Sequence, residues 1–107
     1  MENLTRREEQ VLLAIHFLKK DAYLIPIREQ IKTFTGKEYS VGTIYAPLNR
    51  LLINGFLDSY VKKPEFPHMG KPIKYYVLTK KGYKALTDLN EQNSRMWTGF
   101  EQPFRAQ

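Results

Sequence analysis

The sequence predicts a mostly helical α+β fold with three helices, a two-stranded antiparallel hairpin and a C-terminal helix. A helix pattern opens on Ser40 and stops at Gly55, and residues 56–61 then predict a first strand. Residues 70–82 give a basic turn, a second strand and the start of a capped helix. Helix, strand, basic turn and strand follow one another in the order of a winged helix-turn-helix, in which the hairpin is called the wing.

Length and composition limit the functions that this chain can have. Its 107 residues, 42% of them hydrophobic, fit one domain with a modest core. The absence of cysteine excludes disulfides, thiolate zinc sites and cysteine nucleophiles. The longest apolar run, residues 11–15, is far short of a membrane span, and residues 1–10 lack the form of a signal peptide. We therefore expect a soluble, cytoplasmic protein without a membrane partner.

The net charge of +6 is concentrated in one part of the chain. Residues 1–40 hold seven Lys/Arg against six Asp/Glu, residues 41–84 hold eight against two, and residues 85–107 hold two against three. A clustered basic surface suits a polyanion, because binding releases the counterions of the phosphates. A merely solubilising surface is the alternative, and the coincidence of the lysines with a predicted hairpin tip favours nucleic acid.

The first two helices have recognisable ends. Thr5 and Glu8 have the spacing of a capping box, so the first helix should begin there, and residues 21–23 should break it. Pro26 suits the first turn of the second helix, and Gly36 should end that helix. The apolar residues that recur at intervals of three and four predict the buried faces: Val11, Leu12, Ala14, Ile15 and Leu18 in the first helix, and Ile27, Ile31 and Phe34 in the second.

The third helix, capped by Ser40, is the predicted recognition helix. Its buried side should hold Val41, Ile44, Leu48, Leu51 and Leu52, and Pro47 should kink it. Its other side shows Gly42, Thr43, Ala46, Asn49 and Arg50, small residues that allow close approach to a groove and polar residues that reach bases or phosphates. A polar surface helix that binds nothing is the alternative.

The wing should add phosphate contacts from four lysines: Lys62, Lys63, Lys71 and Lys74. Tyr75 and Tyr76 alternate along the second strand, so one should face the core and the other the surface. Tyr45 is expected either to donate to a phosphate or to pack half-buried against the wing.

The two histidines, His16 and His68, lie far apart without an acidic cluster, so we expect no metal site and no cofactor.

The C-terminal helix should begin at Thr79 and turn Tyr83, Leu86 and Leu89 inward. Helical spacing then continues through Asn90 and Asn93 to an apolar seam, and Thr98-Gly99 should end the helix. A monomer of this size has little core left to cover that seam, so we expect it to pack against a second copy; folding back over the first helix is the alternative. The predicted dimerisation residues are Leu86, Leu89, Asn93, Met96, Trp97, Phe100 and Phe104. A flat apolar effector beside Trp97 is a further expectation, with ordinary packing of Trp97 as the alternative.

Two stretches of the chain carry a family resemblance. The first is Gly42-Thr43-Ile44-Tyr45 with Leu48-Asn49-Arg50-Leu51 and Asn54-Gly55-Phe56-Leu57, and the second is Gly70-Lys71-Pro72 with Lys74-Tyr75-Tyr76, Leu78-Thr79 and Gly82. In these stretches the chain resembles the PadR family of winged-helix transcriptional regulators, in the small subfamily with one C-terminal dimerisation helix. The chain departs from the family pattern at Ile25-Pro26, at Ile73 and in the placement of its helix-three proline after Ala46. The resemblance implies a winged-helix DNA-binding domain over residues 1–79 and a dimerisation helix and tail over residues 80–107. It also implies a homodimer that binds a palindromic operator in double-stranded DNA, usually as a repressor. On this resemblance, binding of a small molecule releases the homodimer from the operator.

Catalysis has no support in the sequence, since there is no phosphate-binding glycine loop before a helix, no nucleophile elbow and no paired carboxylates in an apolar setting. We therefore expect a non-enzymatic protein. The alternative to a DNA-binding regulator is a winged-helix module used for contact with another protein, which would bind random duplex weakly even at low salt.

Overall fold

The computed structural model describes residues 3–66 and 70–101. Within this part of the chain a helical body carries a two-stranded antiparallel sheet, which confirms the predicted fold class. The elements are α1 (Arg6–Leu18), α2 (Leu24–Thr35), α3 (Val41–Ile53), β1 (Leu57–Lys62), β2 (Ile73–Leu78) and α4 (Lys80–Trp97), with a short 3-10 turn at Lys19–Asp21 between α1 and α2.

The helix ends lie where the sequence predicts them. Thr5 Oγ1 accepts the Glu8 N–H at 3.1 Å, and Glu8 Oε1 accepts the Thr5 N–H at 2.7 Å, which completes the capping box. Ser40 and Thr79 cap α3 and α4 through their hydroxyl oxygens. Gly36 follows α2 with φ 75°, a left-handed conformation that glycine adopts without a Cβ penalty.

The core lies between α1, α2, α3 and the inner face of the sheet. Its buried apolar residues are Val11, Leu12, Ala14 and Ile15 from α1, Ile27 and Ile31 from α2, Ile44, Leu48 and Leu51 from α3, and Ala22, Phe56, Leu57 and Tyr76 from the junctions and the sheet. Pro47 is also fully buried within α3. The stripes predicted for the first three helices therefore supply most of this core.

The predicted burial of three residues is wrong. Phe34 is 38% exposed, Val41 is 50% exposed and Tyr83 is 53% exposed. Each lies in the first or last turn of its helix, where the neighbouring element does not cover the whole apolar stripe. Phe34 and Tyr83 instead make edge contacts at the surface, Phe34 with Phe17 at 6.0 Å and Tyr83 with His16 at 5.9 Å between ring centroids.

The sheet is attached to the helical body along β2. Ser59 pairs with Tyr76 and Tyr60 with Tyr75, so the two neighbouring tyrosines of β2 face opposite sides, with Tyr76 buried and Tyr75 half-buried. The Tyr76 N–H donates to the Ala22 carbonyl at 2.9 Å, which ties β2 to the loop between α1 and α2. The alternation predicted for the tyrosines is confirmed, and β1 begins one residue later than expected.

The start of α4 packs tightly against the turn that joins α3 to β1. A Cβ atom on Gly82 would lie 2.3 Å from the Phe56 carbonyl oxygen. The Thr79 hydroxyl donates to the Gly55 carbonyl at 2.7 Å, and Lys81 Nζ donates to the Asn54 carbonyl at 2.7 Å. We call this region the α3–α4 junction.

The far end of α4 leaves the body of the protein. Met96, Trp97 and Phe100 are 61–67% exposed, and the Trp97 and Phe100 rings meet edge to face at 5.0 Å. The helix ends at Trp97, and Gly99 follows with φ 80°, as the sequence predicts for Thr98-Gly99. Phe104 lies outside the described residues.

Candidate nucleic-acid interface

The N-terminal half of α3 presents a face with little side-chain bulk. Its exposed residues are Val41, Gly42, Thr43, Tyr45 and Ala46, which we call the open face of α3. Ser40 Oγ accepts the Thr43 N–H at 3.1 Å and lies 2.7 Å from the Thr43 hydroxyl oxygen. A Cβ on Gly42 would meet no atom within 4 Å. At Gly42 this face is clear of the rest of the protein, and Thr43 and Tyr45 supply polar groups beside it, as a helix that enters a major groove requires.

Tyr45 belongs to the open face of α3 and also interacts with Tyr76 of the wing. It is 42% exposed, and it is near enough to Tyr76 to act on that hydroxyl. Burial, and secondarily Tyr45, raise the pKa of Tyr76 above its usual value of 10.0. Tyr45 thus lies beside the base of the wing while keeping part of its side chain accessible to a ligand.

The four wing lysines are all exposed, and two of them lie on opposite faces of the hairpin. Lys74 is opposite Val61 and on the face of Tyr76, with Nζ 5.6 Å from that ring centroid. Lys62 is opposite Ile73 and on the face of Tyr75, with Nζ 6.0 Å from that ring centroid. The wing is therefore a narrow ribbon with cations on both faces.

Stacked tyrosines stiffen the outer face of this ribbon. Tyr60 and Tyr75 are nearly parallel with centroids 5.4 Å apart, and Tyr23 meets Tyr75 at 5.2 Å. Lys63 and Lys71 lie between β1 and β2 in the chain, and residues 67–69, including His68, lie outside the described residues.

Several cations of the basic segment are held by other groups of the protein. Arg50 Nε lies 3.5 Å from Oε2 of Glu8, a carboxylate that is 6% exposed on α1. Lys84 pairs with Asp88 at 3.2 Å, and Lys81 binds the α3–α4 junction. Arg50 is thus partly directed toward α1, and its role in DNA contact stays a prediction. Asn49 is half-buried, less accessible than its predicted position on the open side implies.

Sequence reasoning missed the Glu8–Arg50 pair. The capping box predicts a partner for one carboxylate oxygen of Glu8 and none for the other. A glutamate that caps one helix and is almost fully buried requires a second donor, and this requirement is the signal that identifies Arg50 once the helices are packed.

The predicted dimerisation residues divide into two groups. Leu86 packs against the core, Leu89 is half-buried, and Asn93 Nδ2 donates to Glu9 Oε2 of α1 at 3.0 Å. Met96, Trp97 and Phe100 remain exposed. Between α4 and the start of α1 runs an open groove of about 900 Å³ whose apolar lining includes Leu4, Phe56, Ala85, Leu89 and Met96.

Residues 3–66 and 70–101 contain no group of three or more His, Cys, Asp or Glu side chains placed to hold a metal ion. In the same part of the chain, no helix has the length and apolar character needed to cross a membrane.

Comparison with known proteins gives one family and several similar structures. Residues 12–88 match the model of the transcriptional regulator PadR-like family. A PadR family transcription regulator from Clostridium difficile R20291 superposes with a TM-score of 0.71 at 24% identity, covering 88% of this chain and 92% of that one. A PadR-like transcription factor from Bacteroides fragilis gives 0.69 at 28% identity, covering 83% and 81%. A PadR family regulator from Eggerthella lenta gives 0.68 at 26% identity, covering 88% and 80%. No curated protein matches the chain.

Proposed function

Because the chain belongs to the PadR-like family of transcriptional regulators, which are DNA-binding proteins and not enzymes, we propose that it represses transcription as a homodimer bound to a palindromic operator. The observation that carries the proposal is the open face of α3, which lies next to a wing with exposed lysines on both faces. On this proposal Ser40, Gly42, Thr43, Tyr45 and Asn49 meet the major groove, and the wing lysines meet phosphates.

The proposed dimer uses the C-terminal part of α4. Met96, Trp97 and Phe100 form an exposed apolar group at the end of the helix, and the groove beside Leu89 offers apolar surface of the same chain. Identical apolar surfaces pack well around a two-fold axis, and a two-fold dimer presents two recognition helices to two half-sites. Residues 80–107 are accordingly proposed as the dimerisation segment.

Selection of bound fragments from random duplex DNA tests the operator. Enrichment of an inverted repeat is the expected result, because a two-fold dimer reads the same half-site twice. A chain with Lys71→Glu and Lys74→Glu is the matched variant, and it should lose affinity for all duplexes. Failure to enrich any sequence, together with weak binding at low salt, would favour a winged-helix module that contacts another protein.

Salt dependence separates phosphate binding from other contacts. A dimer that neutralises about six to ten phosphates should lose about a thousandfold or more in affinity between about 50 and 200 mM salt. Binding that changes little over this range would remove the wing lysines from the interface.

Sedimentation of full-length variants tests the dimer. Trp97→Ser combined with Met96→Ser should shift the protein toward monomer, because these exposed side chains lie at the centre of the proposed interface. Ile25→Ser is the control, since Ile25 is 65% exposed but lies on α2. A double variant that remains as dimeric as the control would exclude this end of α4 from the interface.

A small hydrophobic effector is the final part of the proposal. The open groove beside α4 has the volume of a small-molecule site, and Trp97 directly follows Met96, a lining residue, in the chain. Trp97 is the single tryptophan of the chain, so its fluorescence reports this region alone. A planar apolar dye should quench it, and an unchanged spectrum would leave Trp97 as a packing residue.

A further inference from the structure

Two arginines hold the residue that precedes the recognition helix. Tyr39 comes directly before Ser40, the N-cap of α3. The Arg7 guanidinium of α1 lies over the Tyr39 ring, with Cζ 3.7 Å from its centroid. Arg28 Nε of α2 donates to the Tyr39 carbonyl oxygen, and its Nη2 lies 3.5 Å from Glu38 Oε1. Tyr39 therefore connects α1 and α2 to the start of α3.

These contacts restrict Tyr39 in two independent ways. The stacked Arg7 fixes the ring, and the Arg7 guanidinium is itself oriented by a hydrogen bond to Gln10 Oε1 on the same helix. The Arg28 bond fixes the backbone of Tyr39 regardless of its side chain. A planar guanidinium suits both contacts, because it stacks on a ring and donates from a rigid fork, which a lysine ammonium does not do.

The position of Tyr39 sets the position of the open face of α3. Hydrogen bonds to base edges tolerate little displacement, whereas flexible lysines reach phosphates from a range of positions. A small movement of Ser40 and Thr43 would therefore weaken sequence-specific contacts more than phosphate contacts.

We propose that Arg7 and Arg28 are positioning residues for operator recognition, which fix the start of α3 through Tyr39 without touching DNA. The inference rests on the proposed DNA-binding function. It assigns a role to two arginines outside the recognition helix and the wing. Arg28 is half-buried and already bonded to Glu38 and Tyr39, so its guanidinium is engaged within the protein.

The test compares four full-length variants: Arg7→Lys, Arg28→Lys, Tyr39→Leu and Tyr39→Phe. The first three should weaken binding to the selected operator by about tenfold, a size typical of one displaced base contact. Their affinity for random duplex should change by less than about twofold, and the slope of log affinity against log salt should stay that of the parent chain. Tyr39→Phe keeps the ring and the carbonyl, so it should bind like the parent.

Other outcomes would overturn the inference. A further pair of variants, Arg7→Gln and Arg28→Gln, removes the charge: a slope of log affinity against log salt that falls by about one per removed arginine would show direct phosphate contact instead of positioning. Equal losses on operator and random duplex, or no loss on either, would limit Arg7 and Arg28 to a structural role. The two lysine variants keep the charge, so the test remains decisive if Tyr39→Leu fails to fold. A parent chain that selects no operator would instead contradict the proposed function, which is a separately observed result.

Discussion

Gly42 and Gly82 both lie in helices, yet their surroundings differ in every respect. A Cβ on Gly82 would lie 2.3 Å from a backbone oxygen at the α3–α4 junction, whereas a Cβ on Gly42 would meet nothing within 4 Å on the open face of α3. One glycine is required by the fold of the chain itself. The other leaves free space, which matters only to a molecule that approaches from outside.

The cations of the basic segment also divide into those that the protein itself binds and those that remain available to a ligand. Arg50, Lys81 and Lys84 are held by partners within the protein, whereas Lys62 and Lys74 project from the two faces of the wing. A count of charge along the sequence places all five in one basic segment. The comparison shows that a binding surface is identified by the groups that the fold leaves available and not by composition alone.

Gly82→Ala should give the largest change in stability. The added methyl group collides with the Phe56 carbonyl oxygen, and the cost should approach about 3 kcal/mol because backbone cannot move aside as a flexible side chain can. Urea unfolding followed by circular dichroism measures it. A variant as stable as the parent would show that α4 shifts freely at the junction.

Arg50→Met should destabilise the protein by about 2 kcal/mol. The substitution keeps the apolar stem of the side chain but leaves the buried Glu8 carboxylate without its cation. Lys84→Met is the control, because its pair with Asp88 is exposed and should contribute only about 0.3–0.5 kcal/mol. Equal effects of the two substitutions would mean that the Glu8–Arg50 pair does not stabilise the packing of α3 on α1.

Lys81→Met and Lys71→Met should separate a structural lysine from a binding lysine. Losing the Lys81 bond to the Asn54 carbonyl should cost about 1 kcal/mol of stability and leave the salt dependence of DNA binding unchanged. Lys71→Met should leave stability unchanged and lower the salt slope by about one per subunit. If Lys71→Met instead lowers stability and Lys81→Met lowers the salt slope, then Lys71 is the structural lysine and Lys81 is the one that contacts DNA.

Gly42→Ala should stabilise the free protein by at most about 0.5–1 kcal/mol through helix propensity, because residue 42 lies in the first turn of α3. The same methyl group projects from the open face of α3, so operator affinity should fall although the protein is more stable. Thermal unfolding and a binding titration measure the two effects. Undiminished affinity would show that the helix does not approach DNA closely at this position.

Local features of the fold were predictable from the sequence, because they depend on residues three or four positions apart. The capping oxygens of Thr5, Ser40 and Thr79 bind amides within the same turn, and Gly36 ends α2 through its own conformation. No distant residue has to be known for these assignments.

The misjudged features depend on distant residues. Helical spacing gives the direction of an apolar stripe but not how far the neighbouring helix or strand covers it. It therefore predicts that Phe34, Val41 and Tyr83 are buried, although all three are exposed. The pairing of Arg50 with Glu8 joins positions that meet only after α1 packs on α3. Within the candidate site, the open face of α3 and the wing lysines could be recognised from the sequence. The pairing of Arg50, Lys81 and Lys84 with other groups of the protein could not.

The bond between the Tyr76 amide and the Ala22 carbonyl has a consequence for the order of folding. The helices can form from local contacts, but this bond closes a long loop and requires β2 to be in place. Tyr76 is only 2% exposed, so we expect water to reach its amide when the wing leaves the helical body. We expect the Tyr76 amide to exchange its hydrogen more slowly than the outward-facing amides of β1, and its exchange rate would measure how often the wing detaches.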